Sequence, residues 1–215
     1  MKWSIVAVVV SLLALETADA NMLSNEGFET QGWQTSTAYA WEWANPDNHG
    51  STWGTASRES WRSHSGSWEG AIRGTWAGNN NGGWWQEKPA TPGVTYTFSL
   101  WVWADNTWTN QNAQGIKLEF LDGTTNGPGN TISAVTNSFT GIGESWAQKT
   151  LQGTAPTNAA WIRVVVYASD VGSAGALQFD DIDLVAEPGT VIILSQLTVL
   201  PVVAALLRTD SLEIE

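Results

Sequence analysis

Apolar and polar residues alternate with a period of two along four stretches of the chain, the pattern of strands with one face buried and one face wet. They are residues 95–104 (TYTFSLWVWA), 115–121 (GIKLEFL), 160–167 (AWIRVVVY) and 177–185 (LQFDDIDLV). Each ends at a turn signal: Asp105-Asn106, Asp122-Gly123, Ser169-Asp170 or Glu187-Pro188-Gly189. Between Asn21 and Val185 the chain is rich in Gly, Thr, Ser, Asn and Trp, and no helical periodicity interrupts the strands. The expected fold is all-β, one jelly-roll β-sandwich of two antiparallel sheets.

Alternation also assigns faces. Tyr96, Phe98, Leu100 and Val102 build the core from the first stretch, Ile116, Leu118 and Phe120 from the second, and Ile162, Val164 and Val166 from the third. Left on the opposite faces are Trp101 and Trp103, then Lys117 and Glu119, then Trp161, Arg163, Val165 and Tyr167. A bulge in any strand would exchange its two faces.

Two terminal segments stand apart from this domain. Residues 1–20 carry Lys2, an apolar run from Ile5 to Leu15 and the small residues of Ala18-Asp19-Ala20, and read as a secretory leader cleaved before Asn21. The expected domain is therefore 21–187, in a secreted or cell-surface protein. The tail, 188–215, holds an apolar run from Val191 to Leu207 broken by Ser195, Gln196, Thr198 and Pro201, at the short end of what crosses a bilayer. It is either a C-terminal apolar helix that associates with the membrane or cell envelope, or an amphipathic tail.

Charge and composition narrow the partners. The formal net charge is −12, and −11 once Lys2, Glu16 and Asp19 leave with the leader, so phosphate backbones are repelled and nucleic acid is excluded as a natural partner. There is no cysteine, so a packed core or a metal ion must supply the stability that disulfides give many exported domains. The 15 tryptophans exceed what one core of this size buries. Sugar rings present apolar C–H patches that settle on aromatic faces, with a few polar groups orienting the hydroxyls. Trp101, Trp103, Trp161 and Tyr167 are the candidate stacking surfaces, and Arg163, Lys117 and Glu119 the candidate hydrogen-bonding groups. Trp41 and Trp43, in a loop-rich region with Trp53 and Trp61, either rim the groove or close one end of the sandwich.

Several landmarks follow in order: LSNEGFE (23–29), Gly32-Trp33, SHSGSWEGAIRG (63–74), TPGVTYTFSLWVWA (91–104), ESWAQKTLQGTAPTNAAWIRVVVYA (144–168) and FDDIDL (179–184). In this order they resemble the carbohydrate-binding modules of families 4, 9 and 22. The resemblance implies a jelly roll, a polysaccharide groove on the concave sheet and a structural calcium ion. The positions that match its calcium site are Gly27, Glu29, Ser65, Ser67, Asp180 and Asp181, with the choice between the two aspartates open. By alternation Asp180 shares the inward side of Ile182 and Leu184. The tail resembles PEP-CTERM sorting tails, with Ala186 where their leading proline stands and Arg208 as the lone base after the apolar run.

Catalysis is the weaker reading. A glycosidase needs two carboxyls about 5–10 Å apart across its groove, and Glu119 has only Glu69 and Glu87 as partners. Neither His49 nor His64 stands in a serine-triad setting. The chain is expected to be a non-catalytic polysaccharide binder. A surface adhesion or structural protein is the alternative, and a jelly-roll hydrolase or lyase comes after it.

Overall fold

The computed structural model describes residues 20–32, 38–44, 56–73, 82–108, 113–124, 127–169 and 175–187 of the chain. The leader up to residue 19 and the apolar tail, with its expected helix, lie outside them. The described residues form ten strands: β1 (Glu42–Ala44), β2 (Ala56–Glu59), β3 (Glu69–Arg73), β4 (Gly82–Pro89), β5 (Thr95–Ala104), β6 (Ala113–Leu121), β7 (Thr131–Ser138), β8 (Ala147–Thr154), β9 (Trp161–Ser169) and β10 (Ala176–Ala186). Among the described residues there is no helix. The strands form two five-stranded antiparallel sheets, a first in the order β1-β4-β9-β6-β7 and a second in the order β2-β3-β10-β5-β8. This is the jelly-roll sandwich that the alternation predicts.

The core lies between the sheets and is built from the predicted faces. Tyr96, Phe98, Leu100 and Val102 meet Ile116, Leu118, Phe120, Ile162, Val164 and Val166, all buried in one cluster. Each such side chain contributes about 1.5–3 kcal/mol on leaving water. At one end Phe28 stacks on Trp41 at 5.2 Å and meets Trp84 and Phe179 edge-on at 5.4 and 5.5 Å. Gly70 makes this possible, because a Cβ there would come within 2.3 Å of Phe179 and 2.8 Å of Phe28. The amino-terminal segment is stitched to β10: the Met22 N–H donates to the Leu184 carbonyl at 2.8 Å, and the Leu184 N–H to Asn21 Oδ1 at 3.0 Å.

Two features of the topology decide what the outward faces can do. β5 and β6 are consecutive in the chain but belong to opposite sheets, so their outward faces point away from each other. And β10 carries a register shift against β5 between Asp180 and Asp183, with Asp181 at φ +48°. This bulge reverses the expected direction of Asp180, which stands in register with Trp101 on the outward side while Ile182 and Leu184 remain in the core.

Candidate functional site

The outward face of the first sheet collects five of the predicted residues. Trp161, Arg163 and Tyr167 come from β9, and Lys117 and Glu119 from its neighbour β6. Two residues of β4 join them, Trp85 opposite Val165 and Glu87 opposite Arg163. Arg163 sits in the middle row between Glu87 and Glu119. Its Nε donates to Glu87 Oε1 at 2.7 Å and its Nη1 to Glu119 Oε2 at 3.0 Å, so the guanidinium is held between two carboxylates. Two rows along, Tyr167 lies between Gly83 and Gly115, which place no side chain beside its ring. Lys117 Nζ stands 4.5 Å from that ring centroid, and the tyrosine hydroxyl is 3.4 Å from the Ser138 hydroxyl. Trp161 and Trp85 are half-buried, whereas Tyr167 is 6% exposed without belonging to the core cluster. The face thus combines two half-buried indoles, a buried phenol ring and a guanidinium already paired with two carboxylates.

Trp101 and Trp103 occupy the other outward face, that of the second sheet, so the residues expected to share one groove are divided between two. There the strands are roofed by the β2–β3 loop, residues 60–68. His64 stacks on Trp101 with centroids 4.3 Å apart and planes 14° apart. Trp61 meets Trp103 edge-on at 5.8 Å, and the Arg62 guanidinium lies 4.5 Å over the same ring. Trp103 is in consequence 3% exposed, and Trp101 half-buried. The expectation of an open tryptophan floor on β5 is therefore corrected: these indoles face outward and serve as the seat of a loop.

Acidic side chains fasten that loop. Glu69 Oε1 accepts the N–H groups of Trp61 and Arg62 at 3.2 and 3.1 Å. Asp180 Oδ2 accepts those of His64 and Ser65 at 2.8 and 3.0 Å, and Glu29 Oε1 those of Ser67 and Trp68 at 2.8 and 3.0 Å. Asp181 takes the Ser65 hydroxyl at 2.5 Å and His64 Nδ1 at 2.6 Å. Burial pushes the Asp180 carboxyl up to about 7, with the neighbouring Asp181 charge adding and its N–H donors opposing.

All six residues matched to the calcium site surround this loop. The point where a Cβ on Gly27 would stand is 3.6 Å from Asp180 Oδ1 and 4.0 Å from Asp181 Oδ1, with the Glu29 methylene Cγ at 3.9 Å. Gly66 stands at φ +60°, which favours glycine, and a Cβ there would stand 2.1 Å from Glu29 Oε1 and push that carboxylate off the loop. The donor set is all oxygen and suits a hard cation. The side chains themselves are turned to backbone donors, and among the described residues no three His, Cys, Asp or Glu converge in a metal-holding group.

Trp41 is 3% exposed and packs on Phe28, closing one end of the sandwich rather than rimming a groove; its Nε1 donates to the Asn25 carbonyl at 2.9 Å. Trp43 belongs to β1, where its backbone pairs with that of Trp84. Trp85 is the residue that sequence reasoning missed. The signal was present in GGWWQEKP, where adjacent tryptophans on a strand must face opposite ways, Trp84 into the core and Trp85 out.

No protein-family model matches the chain, and no curated protein sequence does. Solved structures do. TmCBM61 in complex with β-1,4-galactotriose aligns with a TM-score of 0.51 at 18% identity, over 78% of this chain and 99% of that one. What is shared is the fold. A cyclase from Fischerella sp. TAU aligns as well, with a TM-score of 0.52 at 14% identity over 78% and 96% of the two chains. So does the enzymatically active domain of bacteriophage CBA120 tailspike protein 4, with a TM-score of 0.57 at 15% identity; 77% of this chain is covered, against 21% of that one. The same sandwich thus occurs in a carbohydrate-binding module and in enzymes, and the site has to carry the functional argument.

Proposed function

We propose that the chain binds a neutral polysaccharide, without chemistry, on the outward face of β4, β9 and β6. The observation that carries this reading is the row Glu87–Arg163–Glu119 beside Trp85, Trp161 and Tyr167. Trp85 and Trp161, both half-buried, offer flat apolar surfaces for sugar C–H groups, Tyr167 packs buried beside them, and the Arg163 fork offers hydrogen-bonding atoms already fixed in place, so little is lost in ordering them. The same row argues against hydrolysis. Its two carboxylates are bridged by the guanidinium, which stands where a scissile bond would have to lie. It also argues for a neutral glycan, since Arg163 spends its charge on two acids and the chain as a whole is strongly negative. The fold shared with a galactotriose-bound module supports binding of this general class.

In this reading Glu29, Asp180 and Asp181, with the carbonyls of Gly27, Ser65 and Ser67, would hold a calcium ion that ties the β2–β3 loop to β10. The gathering of these oxygen-bearing residues around one loop supports it. Export under the 1–20 leader and envelope association through the tail belong to the same reading. Titration calorimetry with neutral oligosaccharides (β-glucan, xylan, mannan and galactan fragments) and with oligouronates tests the function. Binding to at least one neutral series and to no uronate is expected; binding to none, or to uronates alone, overturns the proposal.

A further inference from the structure

The polar groups under the β2–β3 loop are not all satisfied. Trp103, Gln178, Ala71 and Ser57 form one outward row across β5, β10, β3 and β2. Gln178 is 0% exposed, yet among the described residues neither its amide oxygen nor its amide nitrogen has a hydrogen-bond partner. Glu69, equally buried, uses Oε1 on the loop and leaves Oε2 without one. Each orphaned group costs about 1–3 kcal/mol if nothing meets it, and native proteins keep few. In this row Ala71 contributes only a methyl on one side of Gln178 and Trp103 stands on the other, with Trp61 edge-on to Trp103 and Arg62 over its ring.

We infer that a second ligand pocket opens at these groups when Trp61 swings aside, one that takes the vicinal hydroxyls of a single neutral sugar residue or polyol with Trp61 as its lid. The chemistry is complementary. The amide offers one acceptor and two N–H donors, and a pair of hydroxyls, each both donor and acceptor, answers both ends at once. A third hydroxyl serves Glu69 Oε2 whether or not that carboxyl carries its proton. The Trp103 indole supplies an apolar wall for the C–H face. The charges around the pocket are mixed, with Glu59 paired to Arg73 and Arg62 over Trp103 offsetting Glu69, so a neutral ligand is the one that fits. Entry is local: Trp61 is 44% exposed and is held by its Nε1 bond to Glu59 Oε2 at 2.7 Å and by its edge contact with Trp103. Swinging that side chain out leaves the loop backbone on Glu69. The pocket lies on the sheet opposite the proposed polysaccharide face and does not depend on it.

The test is a proton–nitrogen NMR titration of the whole chain with methyl glycosides of glucose, galactose and xylose and with glycerol, following the Gln178 side-chain amide and the indole N–H groups of Trp61 and Trp103. At least one probe is expected to move all three saturably, with half-effect at a few mM, on the order of 1–10 mM. The shifts should persist in Trp161→Ala and vanish for the indoles in Gln178→Met, which removes the orphaned amide. Should that variant not fold, Ala71→Val, which fills the same space, must abolish them. The pocket is refuted if the resonances stay still at about 100 mM of every probe, which would leave only ordered water in the space. It is refuted equally if the shifts survive Gln178→Met and Ala71→Val, or disappear in Trp161→Ala.

Discussion

The two outward faces of the sandwich carry similar residues and arrange them differently. On the first sheet, Arg163 is paired within the sheet itself, by Glu87 and Glu119 on neighbouring strands. On the second, the acids Glu69 and Asp180 and the indoles Trp101 and Trp103 are engaged by a loop of the same chain. Facing outward is thus not the same as being open. In the proposed reading, an aromatic on a strand's second face serves as a ligand platform where the neighbouring polar groups satisfy one another, and it is a packing surface where a loop satisfies them.

The largest effect that tests this contrast is on stability. Trp103→Ala removes a buried indole and its contacts with Trp61 and Arg62, and a loss of about 3–5 kcal/mol is expected by urea unfolding, with polysaccharide retention by the folded fraction unchanged. Arg163→Ala should cost about 2–3 kcal/mol, somewhat below a fully buried pair, because it leaves two carboxylates facing each other; it should also abolish retention on affinity gels, where Arg163→Lys restores only part. Trp161→Ala, on a half-buried ring, should leave the melting temperature nearly unchanged and weaken glycan binding about tenfold. Calcium removal sharpens the comparison from the other side: chelation should lower the melting temperature of the wild type and not of Glu29→Ala, and an unaltered melting temperature in the wild type would remove the ion from the account.

The smallest expected effect is a pH dependence of the chelated protein. An acid raised in the folded state, as Asp180 is from 3.8 to about 7, binds its proton more tightly there than in the unfolded chain. Its contribution is fully present below about 4 and is lost as pH rises through about 7. The melting temperature of the chelated wild type should therefore fall across that window more steeply than that of Asp180→Asn.

Much of the fold was legible because parity is local. The core residues of 95–104, 115–121 and 160–167 follow from alternation alone, and the strand at Thr95–Ala104 has the expected bounds. Sheet membership was not legible, since it rests on pairings such as Asp180 with Trp101 between residues far apart in the chain. For that reason Lys117, Glu119, Trp161, Arg163, Tyr167, Trp101 and Trp103 were all assigned to one groove, whereas the first five share a face and the two tryptophans of β5 stand on the other side. The bulge at Asp181 and the roof of residues 60–68 leave no periodic trace either. The positions matched to the calcium site did meet around one loop, although their carboxylates are turned to its N–H groups.

The most direct measurement is a paired one: affinity of Trp161→Ala and of Trp101→Ala for whichever neutral polysaccharide the wild type retains. The account predicts that Trp161→Ala loses about tenfold while folded Trp101→Ala binds as the wild type does. Loss in Trp101→Ala with Trp161→Ala unaffected would contradict it and move the binding face to the second sheet.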